Sequence, residues 1–256
     1  MTRTVRGLTN FRDFGGYDTA HGRKVARERL YRSAGLAELT DDGVADLHAL
    51  DLGLVVDLRH PAERRREPSR LPEGFRGRVL ATEGDGGGDA AHLNGLLTGI
   101  AGTGDGRAVM VEYYRHAPFS PDRTQLFAAF FKALAAVEGA VLIHCTAGKD
   151  RTGLLVALTQ HMLGVHRDDI LAEYMRSLEA LAALEAASSK WLIRQNVDAA
   201  AVDPDIMRAM ASVHASYLEA ALDAIADRHG GLDTYASEIL GLDTALRDRL
   251  HARLHA

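Results

Sequence analysis

The chain has 256 residues, 46% hydrophobic, 25% charged and 6% aromatic, which is enough to bury a core and excludes a disordered tail, a collagen-like rod or a disulfide scaffold. Thirty basic against thirty-five acidic residues leave a net charge of -5, without the broad positive field of a nucleic-acid binder, so neither DNA nor RNA is an expected partner. Length predicts a single domain: a sheet-containing core over residues 1–165 and a mainly helical portion over 166–256.

The opening MTRTVRGLTN has no apolar signal core, and no run reaches the roughly 18 apolar residues of a membrane span, so a cytoplasmic location is expected. Only Lys24, Lys132, Lys149 and Lys190 are lysines, so guanidinium, shaped for carboxylates and phosphates, carries nearly all the positive charge.

In chain order, NFRDFGGY and the segment from Lys24 to Ser33 predict two short strands around a Gly-containing turn, read as an edge hairpin. Thr40 and Asp41 cap a helix to about Leu50, and the apolar run from Gly53 to Arg59 has the pattern of a buried parallel strand. His60-Pro61 opens a charged turn, AERRRE, read as a solvated face with an anion site as its alternative, and Gly77 to Thr82 predicts a further strand. Glu83 to Gly106 carries nine glycines and reads as a long loop able to act as a lid. Helices follow over Arg107 to His116 and Pro121 to about Val137, then a strand over Ala140 to His144 and a helix from about Thr152 to Leu163. Apolar residues at helical spacing predict continuous helices from Arg167 to Ala187 and from Pro204 to Arg228, with shorter ones near Tyr235 to Leu240 and Thr244 to Leu254.

The chemistry concentrates in VLIHCTAGKDRTG, a strand, a tight loop and a helix start around the sole cysteine, Cys145. At this composition, His one before that Cys, Gly three after and Arg six after is a coincidence of about one in two thousand. A loop of this kind turns the backbone N–H groups of Thr146, Ala147, Gly148, Lys149, Asp150 and Arg151 toward an anion, at the positive end of the next helix. Arg151 grips two phosphate oxygens at once and follows them into a planar transition state. The field that holds a phosphate dianion also stabilises a thiolate, which makes Cys145 a candidate nucleophile. The Thr152 hydroxyl is placed to hydrogen-bond that thiolate, and Gly148 is read as the position where no side chain fits between loop and phosphate. His144 leaves the strand on the opposite face from Cys145, so it braces the loop from behind and does not form a protease-like pair.

HCTAGKDRTG resembles the signature of the Cys-based phosphatases, and its Gly-Lys-Asp-Arg form is similar to that of the bacterial tyrosine/serine phosphatases. NFRDFGGY, LYRSAGLAELT, VVDLR and the closing Tyr235 with LGL at 240–242 resemble that family in the same order. The resemblance implies an α/β fold, a central mostly parallel sheet wrapped by helices with a lid-like helical C-terminal extension. It also implies a cysteinyl-phosphate mechanism without metal or other cofactor, and phosphotyrosine, phosphoserine/threonine or phosphoinositide substrates.

A protonated leaving group needs an acid. The only Trp, Trp191, is followed by Leu, so a Trp-Pro-Asp loop is absent. Asp150 ranks first; its alternative is a helix cap. Asp57 at a strand exit is second, unless Arg59 pairs with it, and Asp85, Asp89 and Asp105 in the Gly-rich stretch remain open. Lys149 is expected to add charge at the mouth of the site for a second phosphate or an acidic flanking residue, or else to neutralise Asp150. Competing readings are a phosphate-binding module without catalysis and a rhodanese-like sulfur enzyme. A metallohydrolase is disfavoured because the twelve His show no H-x-H or H-E-x-x-H spacing.

Overall fold

The computed structural model describes residues 3–83, 105–194 and 202–256. Among these, five strands form one sheet: β1 (Arg12–Asp13), β2 (Leu30–Ser33), β3 (Leu52–Asp57), β4 (Arg78–Ala81) and β5 (Ala140–His144). Their order is β1-β2-β5-β3-β4, parallel throughout except for the antiparallel edge strand β1. The strands alternate sides, as the pleat requires. Leu30, Leu54, Val56, Val141 and Ile143 join the larger apolar cluster, while Tyr31, Val55 and Leu142 face a smaller one with Leu36, Leu39, Leu47 and Leu50. Both faces are therefore covered, which accounts for the unbroken apolar runs of β3 and β5.

The smaller cluster is closed by α1 (Asp41–His48), whose Thr40 cap accepts from Gly43 N. A six-residue helix, α2 (Pro61–Arg66), follows β3. The larger face carries α3 (Gly106–His116), α4 (Pro121–Ala136) and α5 (Asp150–Met162), the last leaving β5 through the Cys145 loop. The C-terminal portion comprises α6 (Arg167–Met175), α7 (Leu181–Arg194), α8 (Pro204–Ala211), α9 (Ala215–His229), α10 (Leu232–Glu238) and α11 (Thr244–Leu254). The α/β architecture is thus the expected one, and no helix among the described residues is long and apolar enough to cross a membrane.

The expected edge hairpin forms: β1 pairs antiparallel with β2 at one edge of the sheet, and β2 pairs on its other side with β5, Leu30 opposite Val141. Two expectations are corrected. The helix read from Arg167 to Ala187 breaks into a 3-10 turn over Arg176–Ala180, where Ser177 is drawn into buried hydrogen bonds, and α7 then runs past Ala187 to Arg194. The helix read from Pro204 to Arg228 breaks between α8 and α9, where Ser212 is extended and the carbonyls of Met210 and Ser212 turn to a buried ammonium. Tertiary hydrogen bonds override helical periodicity at both breaks. Most of the Gly-rich stretch, with Asp85 and Asp89, lies outside the described residues. Asp105 is no lid acid: its carboxylate caps α3, accepting from the N–H groups of Arg107 and Ala108.

Candidate active site

In a parallel sheet the crevice beyond the carboxyl ends of the strands is the natural ligand site, and the central β5 delivers the Cys145 loop there. Every carbonyl from Cys145 to Lys149 has a partner outside the loop. The His144 ring lies 3.4 Å from Cys145 O, Gly35 N donates to Thr146 O at 3.0 Å, and Asn10 Nδ2 reaches Ala147 O and Gly148 O at 3.5 and 2.9 Å. Arg32 Nη2 adds a 2.7 Å bond to Gly148 O, and Gly153 N takes Lys149 O. Among the described residues, no protein group accepts from the backbone N–H of Thr146 through Arg151. A run of six backbone N–H groups without protein acceptors, at the start of a helix, has the form of an anion cradle.

Gly148 adopts φ +65°, and a Cβ there would lie 2.3 Å from the backbone C and O of Ser33, so the end of β2 by itself demands a glycine at this position.

Arg151, in the first turn of α5, is held by a carboxylate absent from the expected set. Its Nη1 and Nη2 donate to Glu63 Oε2 and Oε1 at 2.6 and 3.0 Å, while Leu58 O and Thr146 Oγ1 accept at 3.2 and 3.1 Å. Glu63 also accepts from the Thr146 hydroxyl and from His60 N at 2.7 Å, closing the capping box of α2. Burial opposes ionisation of Glu63, but the charge and hydrogen bonds of Arg151, with Thr146 and His60 N, bring its carboxyl down to about 2. Burial likewise opposes the Arg151 charge, and Glu63, followed by Cys145 and Tyr113, outweighs it and raises the guanidinium above its ordinary value. The charged turn read as a solvated face therefore supplies a site residue. Its signal in the sequence is His60-Pro61-x-Glu63, an N-cap with its third-position acid.

Cys145 is 3% exposed. Thr152 is fully buried, but its hydroxyl has no hydrogen-bond partner among the described residues, so the expected bond to Cys145 is not formed in this structure. Buried His144 lies 3.6 Å from Asp57 Oδ2, and burial, with Arg59 and Arg151, pushes it below its ordinary range against the pull of Asp57, so it is neutral at pH 7. Asp57 is bound at both oxygens by Arg59, at 2.9 and 2.7 Å. Burial works against its charge, but His144 and Arg59 hold the carboxyl below its usual range. That removes it from the acid candidates and leaves it a support behind the loop.

Asp150 is part-exposed at the mouth, with Oδ1 accepting from Tyr114 OH at 2.7 Å, and Tyr114 in turn pairs with Tyr174 OH at 2.8 Å. Burial, then Asp150 and Tyr174, raise the Tyr114 phenol well above its ordinary value, so it stays a donor. Oδ2 of Asp150 has no protein partner among the described residues. Lys149 corrects the expectation of a charge at the mouth. Its side chain is 2% exposed and turns inward, Nζ donating to Met210 O and, at 2.9 Å, to Ser212 O, with Asp150 Oδ1 at 3.4 Å. It pins the α8–α9 break to the loop. Beside the loop a cavity of about 210 Å³ is lined by Thr146, Ala147, Gly35 and Arg59 and roofed by Ala183, Leu184, Ala186 and Ala187 of α7, with Lys190 of α7 paired to Glu38 at 2.7 Å. Among the described residues no group of three or more His, Cys, Asp or Glu is arranged to hold a metal ion.

Comparison with known proteins agrees with this geometry. The chain is 33% identical over 240 residues to a Cupriavidus necator protein provisionally named a tyrosine-protein phosphatase, covering 93% of this chain and 84% of the relative. It is 32% identical over 279 residues to the triple specificity protein phosphatase PtpB of Mycobacterium tuberculosis, covering 98% of both, and 30% identical over 159 residues to a tyrosine-protein phosphatase of Nostoc commune, covering 61% of this chain and 51% of that one. Residues 3–256 match the model of the tyrosine phosphatase family, and the chain belongs to that family.

Proposed function

We propose that the protein hydrolyses phosphotyrosine in proteins through a phosphocysteine intermediate, with Cys145 as nucleophile, Arg151 as phosphate clamp and Asp150 as acid and base. The observation that carries this reading is the loop itself, whose N–H groups from Thr146 through Arg151 have no protein acceptor among the described residues and follow one cysteine. As a clamp, Arg151 offers phosphate its Nε–H, or an Nη–H released from Glu63, Leu58 O or Thr146. The cradle and the end of α5 stabilise the Cys145 thiolate and the phosphate dianion by the same dipoles. The thiolate attacks phosphorus, the bond to the tyrosine oxygen breaks, and that oxygen takes the proton of Asp150. Water then attacks the phosphocysteine, the P–S bond breaks, Asp150 recovers a proton, and Thr152 stabilises the departing thiolate. N–H groups preset in this way would stabilise equatorial oxygens in the transition state without reorganising.

The triple specificity named for the Mycobacterium tuberculosis relative extends the proposal to phosphoserine and phosphothreonine. The phosphoinositide alternative loses the support expected from Lys149, whose ammonium is committed to Met210 and Ser212. We read α7 as a cover over the loop flank, given its alanines across the cavity from Thr146 and Ala147. The decisive experiment is hydrolysis of p-nitrophenyl phosphate and of a phosphotyrosine peptide in EDTA by the native protein, Cys145→Ser and Asp150→Asn. Turnover that survives EDTA and disappears with Cys145→Ser is expected, with Asp150→Asn losing more on the peptide, whose leaving group is poorer. A native protein that binds vanadate without turnover would turn the reading toward a phosphate-binding module.

A further inference from the structure

Behind the phosphate loop lies a polar network that the proposed mechanism does not use. Glu173 of α6, 1% exposed, accepts from Arg12 Nε and Arg32 Nη1, both at 2.6 Å. Arg12 sits on β1 and Arg32 opposite it on β2, so strand pairing brings the two guanidiniums to one carboxylate. Arg32 sends Nη2 to Gly148 O at 2.7 Å and toward Lys149 O at 3.4 Å. Asn10 completes the ring, accepting from Arg12 Nη1 at 2.5 Å through Oδ1 and donating through Nδ2 to Gly148 O at 2.9 Å.

Two independent donors thus converge on one carbonyl of the loop. A peptide plane has its C=O and N–H on opposite sides, so pulling Gly148 O outward aims Lys149 N–H inward. Isolated buried guanidiniums are costly; here one shared carboxylate and several carbonyls take most of their donors, with Arg32 Nε left without a partner among the described residues. Two cations and one anion leave these three side chains with one net positive charge, buried against the loop carbonyls. The same network reaches Ser177 Oγ, from Asn10 Nδ2 at 3.4 Å and Arg12 Nη2 at 3.3 Å, and Ser177 begins the turn that leads into α7.

We propose that Asn10, Arg12, Arg32 and Glu173 are positioning residues that preset the Gly148–Lys149 peptide for phosphate. This rests on the phosphatase reading, and the experiment separates the two. Asn10 has φ +55°, which glycine adopts without strain, so Asn10→Gly removes the amide and spares the backbone. Arg32→Lys keeps the charge, but one ammonium cannot bridge Glu173 and Gly148 O as the planar fork does.

For the native protein and both variants, vanadate inhibition of p-nitrophenyl phosphate hydrolysis and the pH dependence of iodoacetamide alkylation of Cys145 would be measured, with thermal melting as the control for folding. Asn10→Gly is expected to weaken vanadate roughly tenfold and to raise the pH midpoint of alkylation while melting cooperatively. Arg32→Lys is expected to do the same more strongly, and should it fail to fold, Asn10→Gly still decides. A folded Asn10→Gly with native vanadate affinity and native alkylation profile would overturn the positioning role, leaving the phosphatase reading intact. A native protein that neither binds vanadate nor turns over substrate would overturn both.

Discussion

Glu63 and Arg151, 88 residues apart in the chain, meet in a fork-to-fork pair with nitrogen-to-oxygen distances of 2.6 and 3.0 Å. A guanidinium held this way has little rotamer freedom left to lose when substrate arrives, which moves that cost from catalysis into folding. Glu63→Gln keeps the shape and removes the charge. The expected loss in kcat/KM for a phosphotyrosine peptide is on the order of tenfold to a hundredfold, from a weakened charge-assisted pair of about 1.5–3 kcal/mol. Steady-state kinetics with a circular-dichroism check on folding measures it, and native kinetics in a folded variant would remove Glu63 from the site.

The same pair makes stability depend on acid. A carboxyl held at about 2 in the folded protein and near the ordinary 4.5 of a free glutamate when unfolded adds stability above that pH. The contribution declines as pH falls from there toward 2. The melting-temperature gap between native protein and Glu63→Gln is therefore expected to be full at pH 6 and to shrink between pH 4.5 and pH 3. A gap that stays constant over that interval would refute the assignment.

Lys149→Met removes the ammonium shared by Met210 O and Ser212 O and leaves two buried carbonyls without it. Each such group costs about 1–3 kcal/mol, so a drop in melting temperature is expected together with faster hydrogen exchange over residues 204–229. The phosphotyrosine KM should change less than the stability does, because the ammonium faces away from the mouth. A large KM change in a protein of native stability would return Lys149 to substrate binding.

Gly148→Ala places a methyl group against the Ser33 backbone at a left-handed φ. Both effects push the loop off β2, and the expected result is loss of p-nitrophenyl phosphate turnover by more than about a hundredfold, since a misplacement of about 1 Å costs that much. Turnover within a factor of three of native would show that the loop tolerates the shift.

Tyr114→Phe removes the donor to Asp150 Oδ1 and isolates Tyr174 OH. If Tyr114 aims the acid, turnover of the phosphotyrosine peptide falls more than turnover of p-nitrophenyl phosphate, by about threefold to tenfold, because the activated leaving group hardly needs a proton. Equal losses on both substrates would assign Tyr114 to packing alone.

The strand, loop and helix around Cys145 are legible because each signal is local: an apolar run, a sole cysteine, a glycine and an arginine within a dozen residues. Glu63 is not, because a charged stretch with three arginines looks like a solvated turn until its acid is seen to reach a partner in α5. Lys149 is misread for a related reason, since its acceptors are backbone carbonyls at a helix break about sixty residues on, and composition says nothing about which carbonyls a fold exposes. Asn10, Arg12, Arg32 and Glu173 become a group only once β1 pairs with β2 and α6 packs behind them. The interior place of β2 is hidden likewise, because strand order depends on contacts more than a hundred residues apart.

The order of the strands also sets when the site comes into being. β5 is the last of the five described strands in the chain, yet it lies between β2 and β3, its partners on either side. Until it inserts, those two strands have no common neighbour and the sheet is in two pieces; such long-range closure is a slow event in folding. The insertion that joins the pieces also lays the Cys145 loop against Ser33, Asn10 and Arg32. A chain caught before that step has a cysteine but none of the fixed dipoles that would make it a nucleophile, so reactivity and completion of the sheet arrive together.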